Sequence, residues 1–203
     1  MSPNDRKVVL VHGLWDSPKI FCGLVNHLLR DDLMIFAPHL PHKGGRVSLR
    51  KLAYDLDRLI LERFGANTYV DVIGFSMGGV IARVWLQHLG GVLRTRNFLS
   101  VGCPQRGTLL AQPVPHSLLP GIAEMKCGSY LIRELNSEAH LLQGINCISY
   151  FCRWDLMVLP GWKAVLPIGL HHPIPVLTHN DLICHPKSLK IIANDFLSLV
   201  NKS

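Results

Sequence analysis

A serine flanked by glycines stands between a strand-like run and a helix-like stretch in this chain. Residues 74–79 read Gly-Phe-Ser-Met-Gly-Gly, after an apolar, β-branched run over residues 69–73. A helical stretch over residues 80–89 follows and ends at a pair of glycines. A strand, a tight turn and a helix hold such a serine exposed in a strained backbone conformation. The pattern therefore predicts that Ser76 is a nucleophile; the alternative is a glycine-rich turn without chemistry.

Strand-like and helix-like segments alternate along the rest of the chain. Strands are expected over residues 8–11, 33–37, 69–75, 97–101, 147–151 and 175–178. Apolar residues at helical spacing predict helices between them, with N-terminal signals at Asp16-Ser17-Pro18 and at Ser48, and a last helix over residues 187–199. This alternation is typical of an α/β fold in which a mostly parallel sheet of about six strands carries helices on both faces. The 203 residues are predicted to form a single domain, residues 1–203.

A long connection over residues 104–145 interrupts this alternation. It carries Pro113, Pro115 and Pro120, and a second helical piece is expected over residues 130–135. A connection of this length in a compact domain usually carries function. The segment is therefore predicted to be lid-like, with apolar residues that contact the substrate: Leu118, Leu119, Ile122 and Met125. The alternative is an insertion that only packs over the sheet edge.

Composition limits the partners. The chain is 48% hydrophobic and 17% charged, with a net charge of +7, yet no apolar run approaches the roughly 18 residues of a membrane span. Residues 1–7 form a short polar leader without a signal-peptide core, so a cytoplasmic location is expected. Lys and Arg are scattered, which argues against nucleic acid. Peripheral contact with an anionic membrane surface fits a basic, apolar chain better; solvated charge without a partner is the alternative.

The six cysteines show no Cys-x-x-Cys spacing and accompany no secretion signal. They are therefore expected to be reduced thiols rather than disulfides or metal ligands. The chain also lacks a Gly-x-Gly-x-x-Gly or Walker pattern. No metal and no organic cofactor is expected.

A serine hydroxyl is a weak nucleophile and needs a base that a third group orients. On a turn of this kind the acid and then the histidine follow the serine along the chain. Asp155 stands after the strand at 147–151, where the acid is expected. Two other aspartates follow Ser76: Asp181 lies beside a candidate base, and Asp195 lies inside the last helix. The lid-like segment, residues 104–145, also contains acidic residues: Glu124, Glu134 and Glu138.

The base is expected between a strand end and the last helix. His179, in Thr178-His179-Asn180, has that position. His171 and His172 precede the predicted strand at its wrong end. His185 directly precedes Pro186 and is better explained as a surface or capping residue. These positions favour His179.

Hydrolysis of an acyl group also needs backbone N–H groups that bind the oxyanion of the tetrahedral intermediate. One donor is expected at Met77, directly after the nucleophile. The other is expected in the loop after the first strand, where Gly13 lets the backbone approach and Leu14 supplies the N–H. His12 is interpreted as a buried, hydrogen-bonded residue that shapes this loop.

Four segments together resemble the compact bacterial lipases and esterases of the α/β-hydrolase superfamily. They are Val-His-Gly-Leu at 11–14, the serine turn at 74–79, Pro-Gln-Arg-Gly-Thr at 104–108 and His-Asn-Asp-Leu at 179–182. The chain looks most like truncated members, including cyanobacterial-type lipases proposed to act on membrane glycerolipids. The resemblance implies a minimal α/β-hydrolase fold with Ser76 as nucleophile, Asp155 as acid and His179 as base, and with Leu14 and Met77 as oxyanion donors.

The expected reaction is hydrolysis of a carboxylic ester, with an acyl ester or lipid as substrate. The chain lacks the secretion signal and evident disulfides of many secreted lipases, so an intracellular acyl ester is favoured. Thioesterase and acyltransferase reactions use the same residues and remain alternatives. Carbon–carbon-bond hydrolases and cofactor-free haloperoxidases share the serine turn. A non-catalytic lipid-binding protein that keeps the fold is the alternative from a different functional class.

Overall fold

Six parallel strands form one open sheet in the computed structural model, which describes residues 6–202. The strands are β1 (Arg6–Val11), β2 (Leu33–Phe36), β3 (Val70–Phe75), β4 (Thr95–Val101), β5 (Asn146–Phe151) and β6 (Leu170–Pro173). Their order across the sheet is β2-β1-β3-β4-β5-β6, and each neighbouring pair is parallel. The predicted α/β architecture with a parallel sheet is confirmed.

Helices cover both faces of this sheet. They are α1 (Cys22–Leu28), α2 (Leu49–Phe64), α3 (Met77–His88), α4 (Pro120–Ala123), α5 (Tyr130–Ser137), α6 (Asp181–Cys184) and α7 (Pro186–Lys202). Side chains alternate along a strand, so Val9 and Val11 of β1 join the core under α2 and α3. Val8 and Leu10 join the second core, under α1, α6 and α7. The prediction of helices on both faces is confirmed.

The predicted helix starts differ in their chemistry. At α2 the Ser48 side chain accepts a hydrogen bond of 3.2 Å from the Lys51 N–H, as an N-cap serine should. Ser17 precedes a 3-10 turn, Pro18–Phe21, that leads into α1, and its side chain makes no capping hydrogen bond. The Asp16-Ser17-Pro18 signal therefore predicts the start of a helical turn correctly, but the expected side-chain cap does not form.

The last predicted strand, residues 175–178, is wrong. The sheet ends instead with β6, whose side chains are largely exposed because it is the edge strand. Its polar Leu-His-His-Pro sequence therefore carries no apolar signal. The chain cannot continue as a strand after β6, because the Val176 N–H bonds back to the Ile174 carbonyl at 2.9 Å and bends the backbone.

The last two residues of the predicted polar leader, residues 1–7, lie in the first strand instead. Arg6 and Lys7 belong to β1, and Arg6 Nε lies 2.5 Å from Asp71 Oδ2 in the neighbouring strand. Residues 1–5 of the predicted leader, and residue 203 of the predicted domain, lie outside the described residues. Within residues 6–202 no helix has both the length and the apolar character needed to cross a bilayer.

Residues 104–145, called the cover below, contain α4 and α5. In this segment α5 packs against α3, and α4 packs against the 3-10 turn Lys43–Gly45. Arg83 of α3 is fully buried and binds this cover. It donates to the carbonyls of Gln105 and Leu135 at 3.1 Å and 2.6 Å, and to Asn136 Oδ1 at 3.0 Å. Burial lowers the pKa of the Arg83 guanidinium, since desolvation disfavours its charge. On the other side, Glu124 Oε2 accepts the Leu49 N–H at 2.6 Å.

All six cysteines are free thiols in the structure. Cys103, Cys147 and Cys152 are buried. Burial raises the pKa of the Cys103 and Cys147 thiols to about 12, because it disfavours the thiolate. These two side chains therefore act as small apolar residues of the core.

Candidate active site

Ser76 occupies the sharp turn between β3 and α3. Its backbone has φ 54° and ψ −129°, a conformation that costs free energy in a residue with a Cβ. The Ser76 N–H donates to the Val101 carbonyl of β4 at 2.9 Å, which holds the turn at the carboxyl end of the sheet. The predicted strand, tight turn and helix around this serine are confirmed.

The glycines around Ser76 let backbones approach closely. A Cβ added at Gly74 would lie 2.4 Å from Gly79 Cα, and one added at Gly78 would lie 2.1 Å from the Val11 carbonyl oxygen. Distances this short are steric overlaps rather than contacts. The turn therefore requires glycine at both positions so that β3, α3 and the end of β1 can meet.

We expect Gly74→Ala to lower the free energy of unfolding by about 1–3 kcal/mol or more, because the added methyl group must displace backbone atoms. Urea denaturation followed by circular dichroism measures this change. Gly144→Ala is the matched control, since a Cβ at Gly144 meets nothing within 4 Å. Equal stability of the two variants would show that the turn relaxes without cost.

Asp155 and His179 form a buried pair at the same end of the sheet. Asp155 Oδ2 lies 2.7 Å from His179 Nδ1. Asp155 Oδ1 accepts the N–H groups of Met157 and Val158 at 2.8 Å and 2.9 Å. The carboxylate is thus held by the loop after β5, where sequence analysis expected the acid.

This arrangement determines the protonation pattern of the His179 ring. A carboxylate can only accept, so Nδ1 carries the proton and donates it to Asp155. Nε2 then keeps a free lone pair. Among the described residues, Nε2 is the buried side-chain N or O atom that lacks a hydrogen-bond partner. A buried, unpaired basic nitrogen is suited to accept a proton from a substrate or a nucleophile.

Two residues support the His179 ring from beside the serine turn. The Phe75 ring lies 5.0 Å from it between centroids. Gly102, which has φ 58°, passes so close that a Cβ there would lie 3.1 Å from His179 Cε1. The residue before Ser76 and the end of β4 therefore both fix the position of the imidazole.

The loop after β1 carries the other predicted N–H donor. His12 is 1% exposed; its Nε2 accepts the Leu40 N–H at 3.0 Å, so its Nδ1 carries the proton and donates to the Gly13 carbonyl at 3.0 Å. Burial lowers the pKa of His12 and so favours this neutral form. The interpretation of His12 as a buried residue that shapes the loop is confirmed. Leu14 lines the cavity beside Ser76, and Met77 is the first residue of α3.

A cavity of about 800 Å³ connects these residues. Ser76 and His179 lie in its wall with Leu14, while the cover contributes predicted residues Ile122 and Met125. Apolar side chains from the cover and from the loops after β5 and β6 complete the wall: Pro104, Leu110, Ala111, Val114, Leu156, Met157, Val158 and Leu177. The structure places the other two predicted residues, Leu118 and Leu119, outside this wall, and Leu118 is 66% exposed.

Sequence analysis did not predict four polar residues of the cavity wall: Asp16, Thr108, Thr178 and Asn180. Thr108 ties the cover to the loop after Asp155, because its Oγ1 donates to the Met157 carbonyl at 2.9 Å and accepts the Leu159 N–H at 3.1 Å. Asp16 also lines the cavity. Its place four residues after His12, in the loop expected to bind the oxyanion, is a signal that could have identified it.

The other candidate acids and bases from the sequence lie outside the cavity wall. His172 Nδ1 is 2.9 Å from Asp195 Oδ2, within an edge pair of β6 and α7 that also binds the Tyr150 hydroxyl. Asp181 accepts the Thr178 N–H at 2.9 Å, and these backbone and side-chain hydrogen bonds from Thr178 lower the pKa of its carboxyl. His185 Nδ1 accepts the Lys187 N–H at 3.2 Å and so caps α7.

His88, Glu134 and Glu138 are grouped closely enough to hold a metal ion, with ligand atoms within 4.8 Å of one another. Arg50 can only donate, and its guanidinium bonds to Glu134 and to His88 Nδ1. His88 Nε2 therefore carries the proton and donates to Glu138 Oε2 at 3.1 Å. A guanidinium and a proton thus occupy the positions that a metal would need, and the cluster links α2, α3 and α5.

Comparison with known proteins gives the same fold. A family model described as alpha/beta hydrolase fold matches residues 7–102. In a search of curated proteins, no sequence matched. Among solved structures, the mature lipase BlEst2 of Bacillus licheniformis superposes with a TM-score of 0.74 at 14% identity, over 98% of this chain and 93% of that one.

Two further solved structures agree. The monoacylglycerol lipase of Paleococcus ferrophilus has a TM-score of 0.74 at 13% identity, over 100% of this chain and 96% of that one. Lipase B of Aspergillus fumigatus has a TM-score of 0.75 at 16% identity, over 93% of this chain and 52% of that one. The family model and the shared topology show that this chain has the α/β-hydrolase fold and resembles the bacterial lipases and esterases built on it.

Proposed function

We propose that this protein is a serine hydrolase of carboxylic esters in which Ser76, His179 and Asp155 act as a catalytic triad. The observation that carries the proposal is the buried Asp155–His179 pair. His179 Nε2 has no hydrogen-bond partner, and His179 lines the same cavity wall as Ser76. The strained backbone of Ser76 at the start of α3 supports it.

In this mechanism His179 Nε2 takes the Ser76 hydroxyl proton as Oγ attacks the acyl carbonyl. The Met77 and Leu14 N–H groups stabilise the oxyanion that forms. Collapse of the intermediate breaks the ester C–O bond, and the alcohol leaves with the proton from His179. Water then attacks the acyl-enzyme, with His179 taking its proton. The bond between the acyl carbon and Ser76 Oγ breaks, the acid is released, and His179 returns the proton to Oγ. Asp155 keeps the His179 proton on Nδ1 and stabilises the imidazolium.

The wall of the cavity favours an acyl substrate. Its side chains are mostly apolar, and the cover contributes Val114, Ile122 and Met125. A volume of about 800 Å³ is enough for an acyl chain rather than only a small acetyl group. The fold is shared with a lipase and a monoacylglycerol lipase. Acyl esters of glycerolipids are therefore the proposed substrates.

Hydrolysis of p-nitrophenyl esters from two to sixteen carbons tests the reaction class. We expect turnover at every length that the cavity admits, with a maximum at medium or long chains. Labelling of Ser76 by a fluorophosphonate, read by mass spectrometry of the peptide, identifies the nucleophile. Folded protein that neither hydrolyses the esters nor reacts with the probe would contradict the proposal. Labelling without ester turnover would favour a thioester or a different acyl acceptor.

We expect Val114→Trp to shift the preferred chain length downward, because the indole would fill part of the cavity beside the acyl site. The ratio of kcat/KM for dodecanoyl over butanoyl ester should fall by about tenfold or more. Leu93→Trp is the control, since Leu93 is 80% exposed and outside the cavity wall. An equal loss for both esters would show that Val114 does not contact the acyl chain.

We also propose that the mouth of the cavity contacts the lipid surface. Trp15, Leu110, Leu156 and Leu177 line the cavity yet are between 49% and 75% exposed. Exposed apolar residues of this size, on a chain of net charge +7, suit peripheral contact with an anionic lipid surface.

We expect the Ser76→Ala variant to bind anionic vesicles more tightly than zwitterionic ones, and less tightly in high salt. The double variant Leu156→Ser, Leu177→Ser should bind these vesicles several-fold more weakly, because two exposed apolar side chains that would contact the lipid are removed. Co-sedimentation with vesicles measures this change. Leu93→Ser is the control, and equal binding of the two variants would exclude the mouth as the lipid contact.

A further inference from the structure

Asp16 faces the cavity although the proposed mechanism gives it no step. Its side chain is half-buried and lines the same wall as Ser76 and His179. A Cβ built on Gly13 would lie 2.8 Å from Asp16 Oδ2 and 2.8 Å from Ser76 Cβ. The carboxylate and the nucleophile therefore flank the same point of the loop that carries the Leu14 N–H.

A carboxylate at this place has an electrostatic cost. Burial raises the pKa of Asp16, and the nearby imidazoles of His179 and His42 oppose that rise. Within residues 6–202 no protein donor forms a hydrogen bond to this carboxylate. A partly desolvated carboxylate needs donors, and a negative charge beside the site of a developing oxyanion opposes its formation. A substrate that donates to Asp16 removes both costs.

A second, smaller cavity of about 390 Å³ adjoins the first, and Trp15 and Asp16 line both. His39, His42 and Lys43 bring side-chain nitrogen atoms to its wall, beside Pro41 and Gly44. The larger cavity is mostly apolar and suits the acyl chain. The smaller cavity offers its histidine, lysine and Asp16 side chains to the alcohol part of an ester, and Asp16 lines both cavities.

We propose that Asp16 is a specificity residue that accepts hydrogen bonds from hydroxyl groups on the alcohol portion of the substrate, so that polyol esters are preferred over simple alkyl esters. This inference rests on the proposed ester hydrolysis. An acceptor carboxylate together with histidine and lysine donors matches hydroxyl groups, which both donate and accept. A phosphate-bearing alcohol fits less well, because Asp16 would repel it.

The test compares three octanoyl esters that differ in the alcohol: 1-monooctanoylglycerol, propyl octanoate and octanoylcholine. We expect the native protein to favour the glyceryl over the propyl ester in kcat/KM. In Asp16→Ala this ratio should fall roughly 10- to 100-fold, as for loss of hydrogen bonds to a charged group. Asp16→Asn, which keeps an acceptor oxygen, should fall less. Asp31→Asn, an exposed aspartate outside both cavities, is the control.

An unchanged glyceryl-to-propyl ratio in Asp16→Ala would overturn the inference. So would a selective loss of the choline ester, which would indicate recognition of a cation. Calorimetric titration of 1-monooctanoylglycerol into Ser76→Ala, with and without Asp16→Ala, separates this result from catalysis. Weaker binding with Asp16→Ala supports the inference, and equal binding overturns it. Native protein that hydrolyses no ester, p-nitrophenyl octanoate included, contradicts the proposed function instead.

Discussion

Replacing Ser76 by alanine should lower kcat on p-nitrophenyl octanoate by roughly 10⁴- to 10⁶-fold, the range seen when the nucleophile of a serine triad is removed. The variant loses the proposed attacking oxygen, while the proposed backbone donors and the cavity remain. The change also removes a side chain only half-buried and leaves the β3–α3 turn intact. Stability should therefore stay near that of the native protein.

Steady-state hydrolysis measures kcat, and urea denaturation measures the free energy of unfolding. Ser137→Ala is a suitable control, because Ser137 is exposed on α5 and outside the cavity wall. Turnover that survives in a folded Ser76→Ala protein would mean that another group attacks the ester, and the triad assignment would have to be abandoned.

Asp155→Asn should reduce kcat by about 10⁴-fold, because the substitution changes the tautomer of His179. An asparagine Oδ1 can still accept the Met157 and Val158 N–H groups, so its NH₂ group turns toward His179 Nδ1. Nδ1 must then accept, and the proton moves to Nε2. The lone pair that would take the serine proton is thereby lost.

Asp195→Asn is the matched control for this prediction. Asp195 makes the same type of contact, with His172 Nδ1 at 2.9 Å, but outside the cavity. The change therefore leaves His179 unaltered, and kcat should stay close to the native value in this control. Near-native kcat in Asp155→Asn itself would show that a different acid orients His179.

The parts of the fold that sequence analysis predicted are those with local signals. The turn at Ser76 depends on neighbouring glycines and on the buried strand before them, and both are contiguous in the chain. The edge strand β6 has no such signal, since its exposed side chains follow no apolar pattern. The apolar run at 175–178 was therefore predicted as the strand, although its residues only connect the sheet to His179.

The residues of the candidate site also differ in whether a local sequence signal predicts them. Asp155 and His179 follow from chain order after strand ends, so the sequence was sufficient to propose them. Asp16 stands in a helix-start pattern and was interpreted only as part of that signal. Its approach to Ser76 arises because the loop after β1 crosses the end of β3, which is a tertiary contact. Leu118 illustrates the converse, since its apolar side chain faces outward.

The buried guanidinium of Arg83 also limits how this protein could be redesigned. A chimera that receives a foreign cover, or a shortened variant, would remove the oxygen atoms of Gln105, Leu135 and Asn136 that solvate the cation. A charge left in an apolar interior without them would cost several kcal/mol. Cover exchange should therefore succeed only when Arg83 is replaced by an apolar residue in the same design, or when both ends of the native segment are retained.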